Sequence, residues 1–195
     1  EQEVMPRVKV LADVLDKQLL ACPLLAELDA GRYGVLVRRR RAQSEIFRAA
    51  NTELQKQESA LQTRQQEIMG GITVDFDGEQ RTLQQLGPYF ESQDRDLRER
   101  AFRTALEARR AHWSELEDIY DQLVTVRTQM GQNAGHPTYT PFRFLELQRF
   151  DYTEQDCIQF HRAVAECVVP AVQQLNQQRA AKLGLKLDAE GARLI

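Results

Sequence analysis

The sequence is poor in the residues on which most site chemistry depends. Of 195 residues only three are histidine and three are cysteine. A metallopeptidase helix would carry His-Glu-x-x-His, because residues four apart share a helix face and aim two imidazoles at one zinc while the intervening Glu activates water. The motif does not occur, and none of His112, His136 and His161 has a second histidine at helical spacing. Cys157 and His161 are four apart, but two ligands do not make a tetrahedral site. Three is an odd number of cysteines, and Cys157 and Cys167 would lie roughly 15 Å apart along one helix, beyond disulfide reach. Reduced thiols and a cytoplasmic protein are therefore expected.

Long apolar runs are missing as well. Nothing approaches the roughly 18 to 20 residues that span a bilayer, and the opening Glu1-Gln2-Glu3 is acidic where an export signal would be basic. No membrane partner is expected. Basic charge is not in excess either: a net charge of -3 and a pI near 5.7 argue against nucleic acid as a partner. What remains is 42% hydrophobic and 28% charged residues, the composition of a soluble globular protein of one large domain or two small ones. The chain starts without Met and stops at Ala192-Arg193-Leu194-Ile195 without a polar tail, which suggests a piece of something longer.

Periodicity then lays out the elements. Val8, Leu11, Leu15 and Leu19 recur at intervals of three and four after Pro6, giving a short amphipathic helix that Cys22-Pro23 breaks. Residues 35–69 contain no proline and no glycine, and Phe47, Leu54, Leu61 and Ile68 fall seven apart with Ala50 between them. One long helix is predicted there, its seam weakened by Gln57 and Arg64. Gly70-Gly71 stops it. A β-hairpin follows over about 72–81, because Ile72, Val74 and Phe76 alternate with polar residues and run into Asp77-Gly78. Two strands alone are marginal, so something must cover their apolar face. Thr82 can cap a short helix ending near Gly87-Pro88.

A second long helix is predicted over about 94–131. Its inner row is Leu97, Ala101, Ala105, Ala108, His112, Leu116, Ile119, Leu123, Val126 and Met130, capped by Ser92 or Asp94 and ended by Gly131. Tyr139 to Phe150 reads as irregular with one short helix. A kinked helix over about 153–183 completes the chain: Thr153 and Asp156 approximate a capping box, Phe160, Val164, Val168, Val172 and Leu175 form one row, Pro170 imposes the kink and Gly184 ends it. The fold class is mainly α, long antiparallel helices with one small β-hairpin.

Few residues offer chemistry. Asp75-x-Asp77-Gly78 has carboxylates at alternate positions, but a calcium loop opening at Asp75 needs glycine sixth and Glu twelfth, where Leu86 stands. A hairpin turn accounts for the same letters. Arg38 to Arg41 spray around a helix and read as a solvated, ion-paired surface before they read as a nucleic-acid stripe. Arg149 could clamp a carboxylate bidentately or pair with a neighbouring acid. His112 sits on an inner helix face beside Trp113 and reads as packed, whereas His136 lies in the Gly135-Pro137 loop without a visible nucleophile or orienting acid.

Taken in order, these segments resemble the non-catalytic N-terminal part of the oligoendopeptidase F family, within the thimet oligopeptidase-like zinc metallopeptidases. The likeness rests on Phe47 and Asn51, the Thr73 to Gly78 hairpin, Thr82-Leu83 and Leu86, and Asp94-Arg95 with Arg98. It continues through Arg127, Ala134-Gly135, Tyr139, Arg149, Asp151-Tyr152-Thr153, Val169-Pro170 and Leu183-Gly184-Leu185. The resemblance implies a helical body enclosing a channel, with zinc and the catalytic Glu supplied by a C-terminal portion beyond the last matched segment. The Pro-Trp-Asp segment expected soon after Leu185 is missing, since Leu187 to Ile195 diverges. By that likeness the complete enzyme takes oligopeptide substrates and zinc. This chain carries no catalytic and no metal-binding residue, its substrate contacts are not placed, and it is expected to be inert alone. The alternative is a helical protein–protein interaction module.

Overall fold

The computed structural model describes residues 4–184 and is mainly α, with one two-stranded antiparallel sheet. In order come α1 (Val4–Leu20), α2 (Ala30–Ile46), α3 (Asn51–Gly71), β1 (Thr73–Phe76), β2 (Glu79–Thr82), α4 (Gly87–Phe90), α5 (Arg95–Arg110), α6 (Trp113–Asn133), α7 (Tyr139–Glu146), α8 (Glu154–Ala163) and α9 (Val169–Leu183). The chain divides into two units, one holding residues up to Glu67 with Ser114–Asp151, the other Ile68–Trp113 with the chain from Tyr152 on.

In the first unit, Ile46, Val126, Met130, Ala134 and Phe142 form the core, with Leu54, Leu61, Tyr139 and Leu145 packed against it. The helix predicted over 35–69 is two helices. Phe47 turns extended (ψ 126°), and Arg48 donates to the carbonyls of Glu45 (2.9 Å) and Phe47 (2.7 Å), satisfying acceptors that the end of α2 leaves open. Asn51 then starts α3 and, 2% exposed, donates to the Met130 carbonyl at 3.0 Å while accepting from the Asn133 amide at 2.8 Å. Ala50, expected inside, falls in this break and is exposed.

Helix α1 reverses its predicted orientation. Leu11 and Leu15 are 64% and 63% exposed, and Val8 and Leu19 are exposed too, while Asp13 and Asp16 are buried. The cause lies in α2, on which α1 packs. That helix presents Arg40, 3.4 Å from Asp16, and Ser44, 3.5 Å from Asp13, so the polar row of α1 finds partners there. Lys17 closes on Asp13 at 2.6 Å from one turn along. Partly buried ion pairs of this kind return little net stability once desolvation is counted.

The C-terminal end of α6 also corrects the reading of its glycines. The helix passes through Gly131 to Asn133, and Gly135 (φ 88°) is the left-handed residue just beyond it. The amide of Gly135 bonds Gln132 and that of His136 bonds Gly131, at 2.9 and 3.0 Å, the paired closure of a Schellman cap. Gly131 serves a different purpose: a Cβ there would sit 2.7 Å from the Thr138 carbonyl oxygen.

In the second unit the hairpin pairs Thr73 with Thr82 and Phe76 with Glu79, turning at Asp77 (φ 57°) and Gly78 (φ 80°). Its apolar face is covered as required: Val74 and Phe76 pack with Leu86, Ala101 and Ala105, the two alanines allowing the strand close to α5. Tyr89 meets Phe76 edge-on at 4.8 Å. Thr82 and Gln85 bond each other's amides at the head of the expected short helix, a 3-10 turn over Gln84–Leu86 that ends at Gly87; Gly87-Pro88 then opens α4 directly, since the first turn of a helix has no use for the proline's missing donor. Asp94 caps α5. The helix predicted over 94–131 breaks in a tight turn at Ala111-His112, yet its row holds: Ala101, Ala105, Ile119, Leu123, Val126 and Met130 are buried.

The last helical stretch begins at the expected capping box, where Thr153 and Asp156 exchange three hydrogen bonds of 2.7 to 3.2 Å. Between α8 and α9 the chain makes a π-turn over Val164–Val168, with the Val169 amide bonded to the Val164 carbonyl. The wider turn lies directly ahead of Pro170, at the place where the sequence led to the expectation of a kink, and there it eases the crowding of the proline ring against the preceding carbonyls. Gly184 (φ 65°) ends α9 as expected.

Candidate functional site

A cavity of about 200 Å³ opens within the first unit between α1, α2, α3 and α7. Its apolar floor is Ile46, Phe47 and Phe142; its polar wall is Lys9, Asp13 and Asp16 from α1, Gln43 from α2, Arg48, Asn51 and Gln55, and Glu146 from α7. The carboxylates there are already matched with cations: Asp13 with Lys17, Asp16 with Arg40 and Glu146 with Arg143. Lys9 donates to Gln55 at 2.6 Å. Neither histidine nor cysteine lines the cavity. Such walls can hold a polar group, but they offer no nucleophile beside a base. Sequence reasoning missed this wall, because Asp13 and Asp16 fall on the face opposite the apolar row that was read as the inner one.

A polar network borders it. Arg127 bonds Glu58 at 2.7 Å and lies 5.9 Å from the Tyr139 ring. Burial first, then the charges of Glu58 and Glu146, push the Tyr139 hydroxyl above its ordinary pKa, so it stays neutral near pH 7. That hydroxyl and Nε2 of His136 are buried without a hydrogen-bond partner.

The residues singled out for chemistry are dispersed. His112 is half-buried at the α5–α6 turn beside the exposed Trp113, and His161 is exposed on α8. Cys157 is half-buried, while Cys22 and Cys167 are exposed, and all three are free thiols. Arg38 donates to the Phe150 carbonyl at 2.9 Å and lies over its ring, and Arg40 pairs with Asp16, so the arginine run does spread around its helix. Arg149 stacks over Phe144 at 5.7 Å. Asp75 accepts from the Gly78 amide and Asp77 pairs with Arg100 at 2.9 Å, turn and surface roles in place of calcium ligation.

The residues that carry the family resemblance are joints. Asn51 ties α3 to α6, Arg127 ties α6 to α3, and Gly135 closes α6. Asp94 caps α5, while Arg98 donates to the Ser92 and Gln93 carbonyls at 2.6 and 3.2 Å. Leu185 and the divergent Leu187 to Ile195 lie outside the described residues. Zinc, which the resemblance implies, needs three or four converging His, Cys or carboxylate ligands. Among the described residues no group of three or more such side chains gathers, so they do not fit the ion. Nor is any described helix long and apolar enough to cross a membrane.

No family model matches the chain, and no curated protein does. Solved structures do. PZ peptidase A, in a structure with an inhibitor, is similar over 95% of this chain at 29% identity and a TM-score of 0.88. A protein assigned as an oligoendopeptidase F is similar over 95% of this chain at 27% identity and a TM-score of 0.87. Another such protein, from Bacillus anthracis str. Ames, is similar over 98% at 23% identity and 0.87, which speaks to the fold alone. This chain spans about a third of their lengths, 33%, 33% and 35%. The helices and hairpin thus have the form of one portion of a peptidase body. The resemblance to the oligoendopeptidase F family, read from the sequence, is borne out over nearly the whole chain.

Proposed function

We propose that this chain is the N-terminal scaffold and a part of the substrate channel of a cytoplasmic zinc metalloendopeptidase that hydrolyses oligopeptides, and that it is inert by itself. One observation carries the reading: it superposes on PZ peptidase A at a TM-score of 0.88 over 95% of its own length but on only 33% of that protein. In the complete enzyme, zinc would activate the attacking water and polarise the peptide carbonyl. A channel walled by rigid helices admits extended peptides and excludes folded proteins. Zinc content and hydrolysis of a quenched-fluorescence oligopeptide test this: neither is expected from the 195-residue chain, and both from a chain of peptidase length. Stoichiometric zinc and turnover by the chain alone would overturn it.

A second reading, a helical interaction module without enzymatic activity, is favoured by the exposed apolar rows on α1 and along α8–α9. The same activity assay on the longer chain separates the two.

A further inference from the structure

The cavity in the first unit sorts its charged groups by end. From α1 it is lined by Lys9, Ala12, Asp13 and Asp16, positions three and four apart that share one face of a helix. Asp13 meets Ser44 and Asp16 meets Arg40, so α1 and α2 run antiparallel, and one turn earlier the same register sets Lys9 level with Arg48. Helix α7 runs against α2 in the same sense: Phe142 shares a core with Ile46, while Phe150 meets Arg38. Glu146 therefore falls level with Ala42, among the two aspartates. One end of the cavity is basic and the other acidic.

The two ends differ in what they leave unmatched. Asp13, Asp16 and Glu146 have their charges offset by Lys17, Arg40 and Arg143. Asp16, however, is 5% exposed, has its cation at 3.4 Å, and accepts no hydrogen bond among the described residues. A buried carboxylate in that condition gains from any donor that reaches it. At the basic end the hydrogen bonds are made and the charge is left over. Arg48 donates to the carbonyls of Glu45, Phe47 and Ala134, and Lys9 donates to Gln55. Neither cation is paired with an acid among the described residues. Between the ends lies the apolar floor of Ile46, Phe47 and Phe142.

A group that answers all three features carries an ammonium at one end, a carboxylate at the other and apolar surface between them. Its length follows from the helix rise: Asp13 and Asp16 stand about 6 and 10 Å along α1 from Lys9. The two charges of a single amino acid share one carbon and are too close to reach both ends. Each residue of an extended peptide adds about 3.3–3.6 Å, so the ends of a dipeptide are about 7 Å apart. A cavity of about 200 Å³ exceeds the roughly 150 Å³ that holds a benzene ring, which is room for one apolar side chain. We infer that the cavity binds a dipeptide with an apolar side chain, its amino group at Asp16 and its carboxylate at Lys9 and Arg48. The inference stands on the cavity alone, whether or not the longer polypeptide is a peptidase.

The test is an NMR titration of the full 195-residue chain with glycyl-leucine and its two capped forms. N-acetyl-glycyl-leucine lacks the ammonium, and glycyl-leucinamide lacks the carboxylate. A ligand of about 13 non-hydrogen atoms at ordinary efficiency reaches a Kd of about 1 mM. Glycyl-leucine should bind at least that well, shifting the side-chain amides of Gln43 and Gln55, and each capped form should bind about 10-fold more weakly for want of one charge-assisted hydrogen bond. Two variants separate the ends. Lys9→Gln, at an exposed position, should weaken glycyl-leucine by about the same factor and leave glycyl-leucinamide unaffected. Asp16→Asn should weaken glycyl-leucine and leave the acetylated form unaffected. Arg103→Gln, on the exposed face of α5, should change none of the three. Circular dichroism checks that each variant is folded, and the Lys9 variant decides alone if Asp16→Asn is not. The inference fails if the folded chain binds glycyl-leucine no better than about 10 mM, ten times weaker than that ordinary efficiency. Equal binding of all three ligands also sinks it, since that is apolar adhesion only. So does an acetylated form that binds as tightly as the free dipeptide, which makes the cavity an anion site.

Discussion

Replacing a helical glycine by alanine ordinarily stabilises a protein by about 0.5–1 kcal/mol, because alanine has less backbone freedom to lose. Gly34 in α2 meets that condition: a Cβ built there finds no atom within 4 Å. Gly131 in α6 does not. Its Cβ would stand 2.7 Å from the Thr138 carbonyl oxygen and 3.1 Å from both the Thr138 carbonyl carbon and the Tyr139 Cα. All three are backbone atoms, and they cannot swing away as a side chain would. They belong to the segment fixed between the Schellman cap at Gly135 and the first turn of α7, whose Phe142 is 1% exposed in the core.

Relief therefore means moving α7 relative to α6 by several tenths of an ångström, at an overpacking cost of about 1–3 kcal/mol. Set against the usual gain, Gly131→Ala should destabilise by about 1–2 kcal/mol, while Gly34→Ala stabilises by about 0.5–1 kcal/mol. Urea unfolding followed by circular dichroism compares the midpoints, with slopes checked for equality so that the shifts report stability. If both variants shift the midpoint upward, α7 does not lie against Gly131 and the first-unit core described above is wrong at its centre.

Three further outcomes follow from the geometry. Leu11→Gln with Leu15→Gln should shift stability by no more than about 0.5 kcal/mol each, as at exposed sites, whereas a helix docked through its apolar row would lose about 2 kcal/mol or more per site; the same urea series decides. Asn51→Ala should cost about 1–3 kcal/mol by unpairing the Asn133 amide in a buried joint, and Asn51→Asp should cost more, because a carboxylate oxygen would then face the Met130 carbonyl. The Asp156 carboxyl is held below its ordinary pKa by hydrogen bonds from Thr153. Its contribution to helix stability is thus fully present above the ordinary carboxylate range and is lost as pH falls through the depressed folded value. Helicity of the 154–183 stretch should drop in that acid window, and Asp156→Asn should flatten the drop; an unchanged profile would show that the box does not hold the helix.

Much of this was legible because burial imposes a period. The row from Leu97 to Met130 is readable residue by residue, because its positions on each side of the turn at Ala111-His112 are buried within their own unit. The break after Ile46 left no such trace. It depends on Arg48 satisfying the carbonyls that end α2 and on Asn51 reaching Met130, tertiary bonds that no local composition announces. Helix α1 misled in the opposite sense: its apolar row is genuine, but the surface that α2 offers is polar, so the row faces away and the cavity wall at Asp13 and Asp16 went unseen. At the α6 terminus the wrong glycine was chosen, since sequence does not tell a residue needed for close approach, Gly131, from one needed for a left-handed cap, Gly135.

The joints explain how a family likeness can rest on residues that shape the backbone. Asn51, Asp94, Gly135, Thr153 and Gly184 each satisfy backbone groups or adopt a conformation for which few side chains substitute. The apolar rows between them tolerate exchange among Leu, Ile, Val and Met as long as volume is kept. A chain can therefore hold a TM-score of 0.88 at 29% identity through a small set of fixed corners. By the same reasoning the likeness at these corners speaks to shape and not to reaction.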